Sequence, residues 1–251
     1  MHNSPAQTTT IDPRSDSMQR TALLLDFDGT LVDITRTPDA VTIGRELVEV
    51  MSGVCERLGG RVGIVSGRSL AQLEALWPGS LPDMVMAGSH GQELKVEGTV
   101  EGPVHTDLFT RLGAVASGHF GQSDGIVIEE KTFGIGVHYR LAPALREAVQ
   151  AWVAAIASEH DLFVQQGDMV FELRPRGADK GDAVRAIMAL DRFVDSRPLY
   201  IGDDLTDIPA FQAVQAMGGA ALSVGPRTAD HSDGQLADVR AVLQRISEIA
   251  A

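Results

Sequence analysis

The sequence predicts an α/β fold: a parallel sheet covered on both faces by helices and interrupted by an inserted α+β cap. Short apolar strands alternate with amphipathic helices over residues 21–104 and 174–251, a pattern typical of parallel sheets. Residues 105–173 depart from it, because a helix and a hairpin follow each other twice. We therefore expect a core of residues 21–104 and 174–251, a cap of residues 105–173 and a disordered polar tail of residues 1–20.

Three strands and two helices are predicted in the first core segment. The strands are "ALLLD", "RVGIVSGR" and "MVMAG". The helix in "ELVEVMSGVCERLGG" has apolar residues at helical spacing and stops at two glycines. The helix in "SLAQLEALWP" begins with Ser69 and Gln72 at the spacing of a capping box and ends before Pro78.

The cap and the second core segment continue this order. In the cap we expect the helix "DLFTRLGAVASGHF", the strands "GIVIEE" and "FGIGVHYR" joined by "KTFG", a long helix from Pro143, and two strands joined by "QQGD". The second core segment reads as helix "KGDAVRAIMAL", strand "PLYIGDD", helix "IPAFQAVQAM", strand "GAALSVG" and a final helix from about residue 233.

Composition narrows the class of protein. The chain has 251 residues, a hydrophobic fraction of 44% and a charged fraction of 22%, as is ordinary for a globular protein. A net charge of −13 disfavours nucleic acid and anionic membranes as partners. The single Cys55, the lack of an apolar run of ~18 residues and a tail without a signal-peptide pattern predict a cytoplasmic protein, which we expect to be a monomer.

Polar side chains follow three of the predicted strands and begin one helix. Because the carboxyl ends of parallel strands lie side by side, we expect these side chains to converge on one crevice. Apolar strands that end on carboxylates also require a compensating charge. The residues are Asp26 and Asp28 after the first strand, Ser66 after the second, Asp203 and Asp204 after "LYIG", and Lys180 at the start of a helix.

This set of residue types suits phosphoryl transfer. Asp26 can attack phosphorus as a nucleophile, and Asp28 can protonate the leaving group and then activate water. Gly29 permits a close backbone approach to phosphate, and Thr30 and Ser66 can donate hydrogen bonds. Lys180 supplies positive charge. A dianion beside several carboxylates also needs a hard cation, so Mg²⁺ is expected at Asp26, Asp203 and Asp207.

Each residue also has a structural explanation when it is taken alone. Ser66 fits a turn, Lys180 a solvated helix start, and Asp207 the N-cap of the helix near Ile208 and Pro209. The motif "DFDGT" could be a strand followed by an Asx turn. The joint pattern favours a phosphoryl-transfer site, because four independent explanations would not be expected to fall in this order at strand ends.

"DFDGT", "SGR", Lys180 and "GDDLTD" match the four motifs of the haloacid dehalogenase superfamily. More specifically, residues 21–225 resemble the trehalose-6-phosphate phosphatases through "AGSHGQEL", "EEKTFGIGVHYR" and "GDMVFELRPRGADKG". The resemblance implies a Rossmann-like, haloacid dehalogenase-like core, an aspartyl-phosphate intermediate, Mg²⁺, and a functional link to a trehalose-6-phosphate synthase. It adds Gly67 and Arg68 to the expected phosphate site, and Asp28 and Asp204 to the expected metal site.

The resemblance also assigns the cap to sugar recognition. It implies that four cap residues bind sugar hydroxyls and that His90 and Gly91 line the seam between core and cap. Alternatively, Lys131, Arg140 and Glu172 form salt bridges across the cap sheet. His138 is interpreted as a core or interface histidine. The expected sugar-binding residues are Glu129, Lys131, Arg140 and Glu172.

Two further functions stay open from the sequence. One is a related capped phosphatase that acts on sucrose phosphate, mannosyl-phosphoglycerate or another sugar phosphate. The other is a non-catalytic regulator that binds a sugar phosphate; the presence of both Asp26 and Asp28 disfavours it. Ile208 is one departure from the family pattern, since an acid usually follows "GDDLTD", and it puts hydrogen bonding in that loop in doubt.

Overall fold

The computed structural model describes residues 20–35, 37, 40–78, 82–101, 107–131, 133–175, 177 and 179–251. Apart from Arg20, the predicted tail lies outside the described residues, and so do the predicted core–cap boundary at residues 104–105 and one residue of the "KTFG" turn. No helix among the described residues combines the length and the apolar character needed to span a membrane.

The strands divide between two sheets. In chain order they are β1 (Thr21–Leu25), β2 (Val62–Val65), β3 (Val85–Gly88), β4 (Glu93–Val96), β5 (Thr99–Glu101), β6 (Val127–Lys131), β7 (Gly134–His138), β8 (Leu162–Gly167), β9 (Val170–Pro175), β10 (Arg197–Gly202), β11 (Ala220–Val224) and β12 (Gly234–Leu236). Eight of these described strands form one sheet in the order β12-β11-β10-β1-β2-β3-β4-β5. Neighbours from β12 to β3 are parallel, whereas β4 and β5 pair antiparallel at the edge.

Helices cover both faces of this core sheet. They are α1 (Arg45–Arg57), α2 (Leu70–Leu76), α5 (Lys180–Met188), α6 (Ile208–Ala216) and α7 (Val239–Ala250), while α3 (Asp107–Phe120) and α4 (Arg146–His160) belong to the second sheet. Successive residues of β1 point to opposite faces. Leu23 therefore packs with the apolar sides of α1, α2 and α7, and Leu24 packs with those of α5 and α6. The predicted fold class is confirmed.

The second sheet has the order β6-β7-β9-β8 and is antiparallel. One face packs against α3 and α4 through a buried apolar cluster that includes Ile135 and Leu173. The residues between these apolar positions point to the other face. On it, Glu129, Gly136, Glu172 and Gln165 lie opposite one another in one row across the four strands. The cap sheet therefore carries a row of polar groups on the face away from its helices.

The predicted elements differ from the structure in four places. The hairpin of β4 and β5 was not predicted. The final helix begins at Val239 and not near residue 233, because residues 234–236 pair with β11 and Asp238 caps the helix by accepting from the Ala241 N–H. The second cap turn lies at Asp168 and Met169, with the residues of "QQG" still in β8. A 3₁₀ turn, Pro143–Leu145, precedes α4. The predicted capping box of Ser69 and Gln72 is confirmed.

Candidate active site

A buried ion-pair cluster lies where β1, β10 and α5 meet. Asp26 follows β1, and its backbone N–H donates a hydrogen bond to the Ile201 carbonyl oxygen of the adjacent β10 at 2.9 Å. Lys180 is the first residue of α5, whose N-cap is Asp179. The Lys180 Nζ lies 2.6 Å from Asp26 Oδ1 and 2.7 Å from Asp207 Oδ1. The structure thus brings Asp26, Lys180 and Asp207 together across the chain, as the topology predicts.

Asp207 organises this cluster and does not cap α6 with its side chain. Its Oδ1 accepts from Lys180 Nζ and, at 2.7 Å, from the Tyr200 hydroxyl. Its Oδ2 accepts from the backbone N–H groups of Asp203 at 3.0 Å and Asp204 at 2.9 Å. The side chain therefore holds the loop after β10 against the lysine. Asp207 also occupies the predicted N-cap position of α6, but its carboxylate makes no capping hydrogen bond to that helix.

The acidic groups of the cluster fit a hard cation. Oxygen atoms of Asp26, Asp203 and Asp207 lie within 4.8 Å of one another. Burial raises the pKa of Asp26 well above its usual range against the opposing charge of Lys180, and burial together with Asp207 raises the pKa of Asp203 to about 7. Asp203 Oδ1 is buried and has no hydrogen-bond partner among the described residues. Lys180 alone does not neutralise these three carboxylates, and clustered carboxylate oxygens are the ligands that Mg²⁺ prefers.

Asp28 and Asp204 lie outside this group of potential ligands. Arg68 binds Asp28 with two hydrogen bonds, Nε to Oδ2 at 2.7 Å and Nη2 to Oδ1 at 2.8 Å. The guanidinium also lies over the Phe27 ring, 5.7 Å from its centre. Asp204 pairs with Arg227, whose Nη1 is 2.8 Å from Asp204 Oδ1. Both acids thus have an arginine partner, which sequence analysis did not identify.

The remaining predicted phosphate-binding residues follow β1 and β2, and of these Ser66, Gly67 and Arg68 line the same cavity as Asp26. Gly29 has a φ of +87°, and a side chain there would overlap the Asp203 carboxylate. Thr30 is buried, and its hydroxyl has no partner in the described part of the chain. Ser66 Oγ accepts from the Arg68 N–H at 3.1 Å, which leaves its own proton free to be donated. At Gly67, an added Cβ would lie 2.8 Å from the His90 ring.

The predicted seam residues follow β3 in an unusual backbone conformation. Ser89, His90 and Gly91 all have positive φ, at 49°, 56° and 96°. An added Cβ at Gly91 would lie 2.9 Å from Ala183 Cβ and 3.0 Å from the Asp179 carbonyl oxygen, so Gly91 packs on the start of α5. His90 lines the cavity, and its Nε2 lies 3.4 Å from Glu172 Oε2. Burial lowers the pKa of His90 despite the nearby carboxylate of Glu172.

Three predicted sugar-binding residues lie together on the polar face of the cap sheet. Lys131 Nζ lies 2.6 Å from Glu172 Oε2, 3.9 Å from Glu129 Oε2 and 3.3 Å from the Gly67 carbonyl oxygen of the core. Burial opposes ionisation of both acids. The Lys131 charge nevertheless holds the pKa of Glu129 to about 2 and that of Glu172 well below its usual range, and the two acids together raise the pKa of Lys131. The alternative of salt bridges among Lys131, Arg140 and Glu172 is therefore realised for Lys131 and Glu172, whereas Arg140 pairs with Asp168. Glu129, Lys131 and Glu172 also line the cavity.

The cavity is also lined by Arg140, which was predicted, and by His138 and Gln165, which were not. His138 Nε2 lies 2.8 Å from Glu129 Oε2, which places the histidine in the site and not in the core. Arg140 Nη2 binds both the carbonyl oxygen and Oδ2 of Asp168 at 2.9 Å, so this arginine fixes the second cap turn. Gln165 belongs to the polar row of the sheet. Alternation along β7 contained the signal for His138, because it lies between Val137 and Tyr139, which pack in the apolar cluster of the cap.

Comparisons with known proteins agree with this geometry. A family profile described as trehalose-phosphatase matches residues 24–240. A probable trehalose-phosphate phosphatase of Sinorhizobium fredii is 37% identical over 217 residues, covering 84% of this chain and 80% of that protein. The trehalose-6-phosphate phosphatase of Escherichia coli is 31% identical over 215 residues, covering 81% and 77%.

A solved structure also matches. The crystal structure of a trehalose-6-phosphate phosphatase related protein superposes with a TM-score of 0.79 at 26% identity, covering 91% of this chain and 96% of the other. The chain is therefore similar to trehalose-phosphate phosphatases in sequence and in structure over most of its length. The chain belongs to the trehalose-phosphatase family of phosphomonoester hydrolases.

Proposed function

We propose that the protein hydrolyses trehalose-6-phosphate to trehalose and phosphate through a phosphorylated Asp26. The observation that carries this proposal is the position of Asp26, which is paired with Lys180 on the core side of a cavity whose cap side carries Glu129, Lys131 and Glu172. A phosphate at the core and a polyhydroxyl group at the cap would each meet charged hydrogen-bonding partners.

The first step is attack by an Asp26 oxygen on phosphorus, which forms the aspartyl-phosphate and breaks the bond to the sugar oxygen. Asp28 donates a proton to that oxygen, because an alkoxide is a poor leaving group. In the second step Asp28 takes a proton from water as the water attacks phosphorus and restores Asp26. Lys180 supplies positive charge for the phosphoryl oxygens, and the hydroxyls of Ser66 and Thr30 supply hydrogen bonds. The rest of the proposed phosphate site consists of Gly29, Gly67 and Arg68.

Asp26 and Asp203 are the proposed ligands of Mg²⁺. Asp207 lies within reach, but its two oxygens already accept four hydrogen bonds, and one of them would have to be released. When bound, the cation would neutralise the carboxylates and the phosphate dianion that otherwise repel each other. Asp28 and Asp204 stay in the proposed site as the acid–base residue and as part of the loop that positions Asp203.

The cap supplies the specificity in this proposal. Glu129, Lys131, Arg140 and Glu172 would bind sugar hydroxyls, with His90 and Gly91 supporting the seam. The binding energy of the sugar would then be used to hold the cap over the phosphate. A link to a trehalose-6-phosphate synthase would follow from the need to supply the substrate.

Phosphate release from a small panel of substrates tests the proposed function. Trehalose-6-phosphate, sucrose phosphate and mannosyl-phosphoglycerate are compared with and without EDTA. We expect the highest kcat/KM for trehalose-6-phosphate and loss of turnover in excess EDTA, restored by Mg²⁺ but not by Ca²⁺. A preference for another sugar phosphate would overturn the substrate assignment, and binding without any turnover would identify a regulator.

A further inference from the structure

Gln72 on α2 has its side-chain amide fixed by the capping box. The side-chain Oε1 accepts from the Ser69 backbone N–H at 2.8 Å, and the backbone N–H of Gln72 donates to Ser69 Oγ at 3.2 Å. Because the amide oxygen is used inside the core, the amide nitrogen is the end that is presented to the cap. The start of α2 therefore aims a hydrogen-bond donor across the seam.

The acceptor for this donor is Glu129. Gln72 Nε2 donates to Glu129 Oε1 at 2.9 Å, and His138 Nε2 lies 2.8 Å from the other oxygen. The two oxygens of one carboxylate thus have one hydrogen-bond partner in the core and one in the cap. Two other contacts across the seam are longer, at 3.3 Å from Lys131 to Gly67 and 3.4 Å between His90 and Glu172.

We propose that Gln72 is a positioning residue that orients Glu129 for the sugar and helps to hold the cap on the core. The bond can form only when the cap sheet lies over α2, so it couples closure of the cap to the orientation of Glu129. Only the identity of the sugar rests on the proposed function, because the contact between core and cap does not depend on the substrate.

Gln72→Glu separates this role from helix capping. Glutamate at the same position preserves the capping box, because either residue can accept from the Ser69 N–H. It replaces the donor with a second carboxylate beside Glu129, and like charges at this distance repel. The double variant Gln72→Glu with Glu129→Gln exchanges donor and acceptor and restores the hydrogen bond in reverse. Gln150→Glu on the exposed side of α4 makes the same change in charge away from the seam.

The experiment measures the radius of gyration by small-angle X-ray scattering together with kcat/KM for trehalose-6-phosphate and for an aryl phosphate. We expect Gln72→Glu to increase the radius of gyration. We also expect kcat/KM for trehalose-6-phosphate to fall by about tenfold relative to kcat/KM for the aryl phosphate, which is the scale of one charged hydrogen bond. The double variant should return to the compact radius while its sugar selectivity stays low, because the Glu129 charge is lost. Gln150→Glu should match the unsubstituted protein in both measurements.

Thermal melting followed by circular dichroism checks that Gln72→Glu remains folded. If it does not, Glu129→Ala removes the acceptor from the cap side without changing α2, and the same expansion is expected. Scattering and selectivity of Gln72→Glu equal to those of Gln150→Glu would overturn the proposal, as would a double variant that stays expanded. If no sugar phosphate is hydrolysed, the scattering result still decides whether Gln72 holds the cap, so the two failures are distinguishable.

Discussion

Arg68 binds both carboxylate oxygens of Asp28, at 2.7 and 2.8 Å, whereas Asp26 two residues earlier is paired with Lys180. The two acids of "DFDGT" therefore have different environments. Asp26 is buried beside a lysine and further carboxylates, and the Asp28 side chain is about one-third exposed in the cavity. Asp28 can exchange a proton with the sugar oxygen or with water because it is reached from the cavity, whereas Asp26 needs the charge of Lys180 and of a bound cation to act as an ionised nucleophile.

Replacing Asp28 tests its role in protonating the leaving group. We expect Asp28→Asn to lower kcat for trehalose-6-phosphate by roughly 10²–10⁴, the usual scale of general acid–base catalysis. With an aryl phosphate the loss should be much smaller, because that leaving group needs little protonation. Steady-state kinetics on both substrates give the comparison, with Asp33→Asn at an exposed position as the control. Equal losses on the two substrates would contradict the assignment.

Gly29→Ala should disrupt the metal site through Asp203. The φ of +87° disfavours a side chain by about 1–2 kcal/mol, and the new Cβ would overlap the Asp203 carboxylate. We expect the rise in melting temperature on addition of Mg²⁺ to disappear in this variant. Gly98→Ala is the matched control, because Gly98 has a φ of +82° and nothing lies within 4 Å of an added Cβ. If Gly29→Ala kept the Mg²⁺ response, the placement of Asp203 as a ligand would be wrong.

Lys131→Ala should affect the two kinds of substrate differently. Loss of a charged hydrogen bond should lower kcat/KM for trehalose-6-phosphate by roughly tenfold or more, while an aryl phosphate too small to reach the cap is little affected. The variant should also melt at a lower temperature, because Glu129 and Glu172 lose their shared cation. Lys180→Ala should impair both substrates. If Lys131→Ala lowers the two kcat/KM values equally, Lys131 serves only the stability of the cap.

Glu129 should make the stability of the cap dependent on pH. Its pKa falls from 4.5 to about 2 on folding, so its contribution is complete above pH 4.5 and is lost as the pH falls towards 2. A shift of this size corresponds to at most about 3 kcal/mol. Urea unfolding of the protein and of Glu129→Gln, measured from pH 6 to pH 3, should give a difference in unfolding free energy that is constant near pH 6 and narrows below about pH 4.5. A constant difference would show that the Glu129 charge does not stabilise the fold.

The sequence predicts the core of the site because the topology of a parallel sheet decides it. Strands that end side by side bring Asp26, Ser66 and Asp203 to one edge, whatever the length of chain between them. The helix start at Lys180 was predictable for the same reason. The β4–β5 hairpin could also have been found, because apolar and polar residues alternate on both sides of Glu97 and Gly98.

Contacts between the core and the cap were not predictable in this way. The pairing of Gln72 with Glu129 depends on how two separately folded layers are placed against each other, and hydrophobic periodicity carries no information on that placement. The pairing of Arg68 with Asp28 depends on the direction of one long side chain. Asp207 was interpreted by its neighbours in sequence, although its four donors come from β10, the loop after it and α5.

The phosphorylated nucleophile is the central claim of this account, and chemical trapping tests it most directly. The protein is quenched during turnover of trehalose-6-phosphate and reduced with borohydride, which converts an aspartyl-phosphate to homoserine, and peptide mass spectrometry locates the change. We predict homoserine at position 26, dependent on substrate and absent from Asp26→Asn. Turnover without homoserine at position 26, or with homoserine at Asp28 or Asp203 instead, would contradict the account.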